Sequence, residues 1–251
     1  MTIPNEPFLR SVSLRRNGIR SFDEYPFCIP AIRHLHTLEL HPNVTFLIGE
    51  NGTGKSTLLE AIAVSEGFNP EGGSRNFAFK TRDTHSRLYK HLRPNRGIRR
   101  ARHDAFFLRA ESFYNVATWV DSLGFDPAKS PYGPRSLHEQ SHGEAFLTMF
   151  IERFGGNGLH LRDEPEAALS PQRQLTFLAA LHQLVLRKSQ FIIATHSPII
   201  MAYPHSRIYE CRVDGMQVVE YADTQHYRVT YAFMNRREQM LRDLLSDADE
   251  G

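Results

Sequence analysis

Apolar and polar residues alternate along residues 8–16, which is the pattern of a strand with one exposed face. Three other segments, 44–48, 105–108 and 191–195, are short and apolar throughout, as buried strands of a parallel sheet are. A fourth segment, 159–164, has strand length but carries His160 and Arg162, which suggest that one of its faces meets solvent, a partner or the basic segment at 75–102. The pattern predicts a buried sheet assembled from segments far apart in the chain.

Helical spacing of apolar residues appears between these strands, at 58–63, 145–151 and 177–185, and again in a charged C-terminal stretch at 230–245. Buried strands that alternate with helices indicate an α/β protein with a mixed, mainly parallel core sheet.

Short strands are also predicted at 27–29 and 38–40. With residues 8–16 and the turn at Asn17-Gly18 they form an N-terminal antiparallel β meander. A β-hairpin is predicted near the C-terminus, around Asp214-Gly215.

The segment Gly49–Ser56 matches the phosphate-binding pattern G-x-x-x-x-G-K-[ST], between the strand at 44–48 and the helix that follows. Glycines at such positions let backbone N–H groups turn inward on phosphate oxygens, and the helix adds its positive N-terminal end. Lys55 is expected to neutralise the β- and γ-phosphates, and Ser56 to offer a hydroxyl to Mg²⁺. The segment therefore predicts binding of a nucleoside triphosphate.

The predicted nucleotide contacts in this loop are Gly49, Asn51, Gly52, Thr53, Gly54, Lys55, Ser56 and Thr57. The alternative is a glycine-rich loop that binds no nucleotide. All fixed positions and the strand–helix context are present together, which argues against that alternative.

Two acids, Asp163 and Glu164, end the strand predicted at 159–164, where α/β sheets bind their ligands. Asp163 is a candidate to hold Mg²⁺, and Glu164 to orient or deprotonate an attacking water. Alternatively, the two acids only start a helix that has Pro165 in its first turn. His196 follows the strand at 191–195 directly, so it is predicted to lie beside the same crevice.

Ser141, Gly143 and Glu144 open the helix at 145–151. Serine followed three residues later by glutamate is a capping box, which any stable helix can use. A serine-capped helix N-terminus is also an anion site. From the residues alone the two interpretations stay open.

Charge is unevenly distributed although the formal net charge is only +2. Between residues 75 and 102 ten residues are Lys or Arg and one is acidic, while the rest of the chain is net acidic. Such a basic segment provides sequence-independent attraction for nucleic acid, or is an ordinary solvated surface.

The 2 cysteines, Cys28 and Cys211, form neither a disulfide framework nor a metal-ligand cluster. No signal-peptide pattern and no apolar run of membrane-spanning length is present. We expect a cytoplasmic protein without a membrane partner.

The phosphate loop, the Ser141 segment, the Asp163-Glu164 pair and His196, in this order, resemble the head domain of ABC-type ATPases. The resemblance covers roughly residues 8–212. It is nearer to the SMC/RecF branch than to transporters, and strongest to compact, stand-alone bacterial AAA-family ATPases. It implies a P-loop NTPase fold of the ABC-ATPase-like kind with an inserted helical lobe, and ATP and Mg²⁺ as cofactors.

Carried over by position, the resemblance implies that Lys55 and Ser56 bind phosphate and Mg²⁺ and that Asp163 is the second metal contact. Glu164 would be the catalytic base, and His196 the sensor of the γ-phosphate. The Ser141 segment would act in trans, so that two copies sandwich two ATP molecules as a head-to-tail homodimer.

Three departures from the family pattern are visible. The sequence from Ser141 is Ser-His-Gly-Glu rather than Ser-Gly-Gly-Gln, and Arg109 or Glu111 lies where a Mg²⁺-contacting glutamine is usual. Only 86 residues separate Lys55 from Ser141, so the long coiled coil of SMC proteins does not fit.

These inferences predict a single ATPase domain, residues 1–251. Its nucleotide-binding core would comprise 1–74 and 155–225, its inserted basic and helical lobe 75–154, and its C-terminal helix 226–251. The leading hypothesis is an ATPase acting on DNA through residues 75–102. The alternatives are a nucleotide-gated module that controls a protein effector, as in a toxin or antiphage system, and, less favoured, the ATP-binding subunit of a transporter.

Overall fold

The apolar segment predicted at 44–48 is a central strand of a six-stranded sheet in the computed structural model of the protein. The structure describes residues 5–73, 86–99, 104–109, 113–122, 124, 130 and 135–246. The strands of this core sheet, in spatial order, are β5 (Phe106–Arg109), β6 (Leu159–Asp163), β7 (Gln190–Ala194), β3 (Val44–Gly49), β8 (Ser206–Arg212) and β9 (Gly215–Val219).

All neighbouring strands of this sheet are parallel except β8 and β9, which form the predicted antiparallel hairpin. The register aligns Arg109 with Asp163, Asp163 with Ala194, and Ala194 with Leu47. The carboxyl ends of β5, β6, β7 and β3 therefore meet at one edge, where the predicted phosphate loop, acids and histidine follow.

Alternate residues of the core strands face two different apolar layers. Phe106 and Leu108 pack on one side of the sheet and Phe107 on the other, and Ile193 and Ile192 divide in the same way. Because apolar layers cover both faces of the sheet, the segments of β3, β5 and β7 are apolar along most of their length.

Helices cover both faces of the sheet. The α-helices are α1 (Pro30–Arg33), α2 (Lys55–Ser65), α3 (Phe113–Ser122), α4 (His142–Glu152), α5 (Pro171–Leu186), α6 (Gln225–Asn235) and α7 (Arg237–Ser246). Apolar residues of α3, α4 and α5 build one layer, whereas α2 and a small antiparallel sheet build the other.

The antiparallel sheet predicted for the N-terminus is present, with the order β2 (Thr37–Glu39), β1 (Leu9–Leu14) and β4 (Leu92–Arg96). Its third strand comes from the basic segment and not from residues 27–29, so the strand predicted there is wrong. That segment forms a turn in which the Cys28 N–H donates to the Glu24 carbonyl, and Pro30 begins α1.

The range 75–154, predicted as an inserted lobe, is distributed over several layers in its described parts. Strand β4 belongs to the antiparallel sheet, β5 to the core sheet, and α4 packs on α5, with the rings of Phe150 and Phe177 4.6 Å apart. The strands at 92–96 and 106–109 thus belong to the body of the domain. Residues 74–85 and 100–103 lie outside the described residues.

The C-terminal segment contains two helices where one was predicted. Helix α6 begins at Gln225, and the chain leaves the helical conformation at Arg236, whose φ is −132°. Helix α7 follows at once, and neither helix contains a fully buried residue.

Strand β6 also differs from expectation, because its polar residues face the core instead of solvent, a partner or the basic segment. His160 stacks on Phe191 and Arg162 lies near the rings of Phe106, Phe150 and Phe154; both polar side chains are fully buried. The Arg162 guanidinium donates to the Phe106 and Leu161 carbonyls, and burial lowers the pKa of Arg162 to about 9.

Burial holds the pKa of His160 well below its ordinary value of 6.5, and nearby Arg162 adds to this shift. The unfolded chain therefore binds a proton below pH 6.5 that the folded chain excludes, so stability falls as pH drops through this window. Below pH 6.5, the free energy of unfolding should fall less steeply with decreasing pH in His160→Phe than in the wild type. We expect the difference to be up to about 1.4 kcal/mol per pH unit. Denaturant unfolding of both proteins at several pH values from 5 to 7.5 measures the difference, and identical slopes would contradict it.

Candidate functional site

The phosphate loop has a backbone that only glycine adopts easily at its two ends. Gly49 has φ +133° and Gly54 has φ +100°. A Cβ atom on Gly49 would come within 2.5 Å of the Cys211 carbonyl oxygen, and one on Gly54 within 2.4 Å of Ile29 Cγ2. Close packing and backbone conformation together therefore explain these two glycines.

Lys55 crosses the loop from the first residue of α2. Its ammonium donates to the carbonyl oxygens of Gly49, at 2.8 Å, and Glu50, at 2.9 Å. The side chain is buried, and this burial lowers the pKa of Lys55, an effect that Glu164 and Asp163 oppose. The positive charge is held at the centre of the loop, where phosphates are predicted to bind.

Helix α2 starts at this loop with Gly54 as its N-cap and without a side-chain cap hydrogen bond. The N–H groups of its first turn have no carbonyl partner within the helix. Together with the positive end of the helix dipole, they suit an anion such as a phosphate group.

Ser56 and Asp163 lie in direct contact, although 107 positions separate them in the sequence. The Ser56 hydroxyl donates to Asp163 Oδ1 at 2.9 Å. A hydroxyl and a carboxylate are hard oxygen donors of the kind Mg²⁺ accepts, and it usually takes one or two carboxylates with the substrate's phosphates. The pair thus fits a Mg²⁺ site next to the loop.

Arg109 occupies the end of β5, where the resemblance leads one to expect a glutamine. Its Nη1 lies 2.7 Å from Glu60 Oε2 on α2, and its Nε lies 3.5 Å from Asp163 Oδ2. A cation therefore contacts the second oxygen of the candidate metal ligand. The sequence placed Arg109 in this region, and the pairing with Glu60 was not predicted.

Glu164 follows β6 with an unusual backbone, φ +49° and ψ +54°, in the left-handed region that non-glycine residues seldom adopt. Its N–H donates to the Ala194 carbonyl, which holds it against the end of β7. The Glu164 side chain is 41% exposed, so it can reach solvent and a ligand. Strain of this kind often marks functional sites.

His196 meets Glu164 across the end of the sheet, with 3.8 Å between His196 Nε2 and Glu164 Oε1. Burial lowers the pKa of His196, and the nearby Lys55 adds to that effect. The imidazole is therefore mainly neutral near pH 7, a state in which one ring nitrogen donates and the other accepts.

Glu166, which no motif in the sequence marks, joins the segment after β6 to the segment after β7. It accepts hydrogen bonds from the Thr195 hydroxyl at 2.7 Å and from the His196 N–H at 2.5 Å. Burial raises the pKa of this carboxyl. It ties the segment after Asp163 to the segment that carries His196.

The predicted capping box at Ser141 is present. The Ser141 side chain accepts from the Glu144 N–H, and the Glu144 carboxylate accepts from the Ser141 N–H at 3.1 Å. Arg173 on α5 binds both residues, at 3.2 Å to Ser141 Oγ and 2.9 Å to Glu144 Oε1. A Cβ on Gly143 would approach the Ala168 carbonyl to 2.6 Å, so Gly143 allows close packing there.

The phosphate loop, Asp163, Glu164 and His196 thus come together at one sheet edge. Ser141, Gly143 and Glu144 instead contact Ala168 and Arg173, on the segment that follows the acids. The capping interpretation is confirmed, and an anion-binding role for this helix start remains compatible with it.

Two arginines of the basic segment are occupied within the domain. Arg96 pairs with the buried Glu66 at 3.0 Å. Arg99 bonds to the Asn5 side chain and the Glu6 carbonyl, and stacks over Phe8 at 4.5 Å. Arg75, Lys80, Arg82, Arg100 and Arg102 lie outside the described residues.

A family comparison agrees with this geometry. Residues 13–103, less than half of the chain, match the family model described as an AAA domain. The chain has a mixed α/β fold in which the phosphate loop links the parallel strand β3 to α2, as in P-loop nucleotide-binding proteins. The strand order and the phosphate loop carry this assignment, and the acids follow β6, which β7 separates from β3.

Two solved structures are similar to this chain. The SMC head domain from Thermotoga maritima is 16% identical with a TM-score of 0.47, over 84% of this chain and 98% of that one. A metal-chelate type ABC transporter in an inward-facing conformation is 16% identical with a TM-score of 0.45, over 76% of this chain and 77% of that one. No curated protein matches this sequence significantly. Within the described ranges, no helix is long and apolar enough to cross a membrane.

Gly54 and Gly52 provide a matched test of the loop. Both have positive φ, but a Cβ on Gly52 would meet nothing within 4 Å, whereas one on Gly54 would strike Ile29. Gly52→Ala should cost about 1–2 kcal/mol from backbone strain alone, and Gly54→Ala more. Denaturant unfolding of the two variants measures the difference. Equal losses of stability in the two variants would contradict this prediction, because they would show that the Ile29 side chain moves aside without loss of stability.

Proposed function

We propose that the protein is a Mg²⁺-dependent ATPase that hydrolyses ATP to ADP and phosphate. The observation that carries this proposal is the contact of Ser56 with Asp163, beside Lys55, with Glu164 and His196 at the same edge. Phosphoryl transfer relies on positioning and charge stabilisation, and these residues supply both.

Each residue has a role that its position supports. Lys55 and the N–H groups of the loop would bind the phosphates, and Ser56 and Asp163 would hold Mg²⁺. When bound, Mg²⁺ neutralises charge that develops on the β- and γ-phosphate oxygens. Glu164, exposed at the end of β6, orients the attacking water and accepts its proton. His196 donates to the γ-phosphate from Nε2.

The active form in this proposal is a head-to-tail homodimer that encloses two ATP molecules. The start of α4 supports it, because Ser141 and Glu144 are exposed at a helix N-terminus. In the dimer, Ser141 Oγ and the Gly143 backbone contact the γ-phosphate of the partner copy. Arg173 lies beside them, where it contacts Ser141 and is paired with Glu144. Hydrolysis then separates the two copies.

DNA is the proposed target of this ATP-driven dimer. This part of the proposal is supported by three basic residues that are exposed within one continuous segment leading into β4: Arg87, Lys90 and Arg93. Arg96 and Arg99 make contacts within the domain, so they are poor candidates for phosphate contacts with DNA. If DNA does not bind, the ATP-gated dimer acts on a protein effector instead.

Glu164→Gln should lower the ATP hydrolysis rate by about 10²–10⁴-fold while ATP still binds, since the variant lacks only the base.

Because Glu164→Gln binds ATP but hydrolyses it slowly, this variant should become dimeric with ATP and Mg²⁺ in light scattering. Lys55→Ala should bind no ATP. In the Glu164→Gln background, Ser141→Asp should abolish the dimer, whereas Ser141→Asn should keep more of it. Both replacements cap a helix well, so only the charge differs. A monomer under every condition would contradict the dimer.

Replacement of Arg87, Lys90 and Arg93 by Glu should weaken duplex DNA binding at low salt. Each lost phosphate contact should reduce the slope of log affinity against log salt by about 0.9. The matched control replaces Arg236, Arg237 and Arg242 by Glu, which changes net charge equally on another exposed surface. Fluorescence anisotropy with a labelled duplex measures both. Equal losses of DNA affinity in the two variants would contradict this prediction, because they would show that the affinity depends on net charge and not on a site at these three residues.

A further inference from the structure

His226, outside the proposed set of catalytic residues, contacts His196 directly. His226 Nε2 lies 3.2 Å from His196 Nδ1, and the two ring centroids are 5.3 Å apart. His226 comes from the first turn of α6, which is distant in sequence from the phosphate loop and from both acids. The contact extends the line of polar groups from Glu164 through His196 to a third side chain.

The start of α6 is anchored, so that His226 has a defined position. Thr224, fully buried, caps the helix by accepting from the Tyr227 N–H. The Gln225 N–H donates to Glu210 Oε1 at 3.3 Å. Glu210 lies on β8 and is paired with Ile48, which directly precedes the phosphate loop. The helix start is thus tied to the strand that leads into the site.

The hydrogen bond between two histidines requires one donor and one acceptor. If His196 donated from Nδ1, its Nε2 would present a lone pair to the Glu164 carboxylate and to the phosphate oxygens. These groups are hydrogen-bond acceptors too, so the contact would be unfavourable. If His226 donates from Nε2, His196 keeps its proton on Nε2, 3.8 Å from the Glu164 carboxylate. The second arrangement places a proton where acceptors lie, so it is favoured electrostatically.

Charges around the pair agree with two neutral rings. Burial is the main cause that lowers the pKa of each histidine, and Lys55 acts in the same direction on both. Glu164 opposes this shift at His196, and Glu50 opposes it at His226. A neutral His226 can donate one hydrogen bond from Nε2, and a neutral His196 can accept it.

We infer that His226 is a positioning residue that donates from Nε2–H to His196 Nδ1 and thereby holds His196 as the tautomer that donates from Nε2. This inference rests on the proposed function, because it assigns a use to the His196 proton. It also makes the catalytic geometry depend on α6, since a shift of the start of α6 moves the hydrogen bond.

Two replacements separate the hydrogen bond from packing. His226→Phe keeps a ring of similar size but has no N–H, and His226→Gln supplies an amide N–H donor at similar reach. We expect His226→Phe to lower kcat for ATP about 10–100-fold, the usual cost of removing such an orienting partner. The Kd for ATP should change less than about twofold, since the phosphate loop is untouched. His226→Gln should recover most of the lost rate.

A double substitution tests whether His226 acts through His196. In the His196→Ala background, His226→Phe should cause no further loss of kcat, because the residue that it orients is gone. A further loss as large as in the wild-type background would overturn the inference, as would an unchanged kcat for His226→Phe.

The tautomer itself can be observed without hydrolysis. Nitrogen-15 NMR of histidine-labelled protein should show His196 protonated on Nε2 in the wild type and in His226→Gln, and a mixture of tautomers in His226→Phe. The same tautomer in all three proteins would overturn the inference. If the wild type does not hydrolyse ATP but the tautomers change as expected, the proposed function fails and the assignment of the hydrogen bond stands.

Discussion

Parallel pairing of β6, β7 and β3 is the constraint on which the site depends. The pairing of Asp163 with Ala194, and of Ala194 with Leu47, places three chain segments at the same height at one edge of the sheet. A shift of one residue would turn Asp163 to the other face of the sheet. Continuous apolar contacts on both sides fix the register, so the buried core and the candidate chemistry depend on the same pairing.

Positive φ angles occur where the chain leaves β3 and β6 at this edge of the sheet. Gly49 and Gly54 adopt positive φ angles around the phosphate loop, and Glu164 adopts the left-handed conformation without being a glycine. Such conformations persist only where surrounding contacts determine them. The bond from the Glu164 N–H to the Ala194 carbonyl supplies one of these contacts, and Glu166 supplies others through Thr195 and His196.

Polar side chains bind the segments of the site into one network. Arg109 connects α2 to Asp163, Glu166 connects the two strand ends, and Arg173 connects α5 to the start of α4. His226 adds the C-terminal helices to this network through His196.

The sequence by itself determined the local features. The spacing of Gly49–Ser56, the apolar strands, and the capping box of Ser141 and Glu144 are short-range patterns, since strand and helix periods and cap hydrogen bonds span only a few residues. Only the tertiary structure decided that β4 completes the N-terminal sheet, that His160 and Arg162 face the core, and that Glu60, Glu166, Arg173 and His226 join the site. These contacts link side chains across long sequence separations, and no local pattern specifies which polar residue meets which.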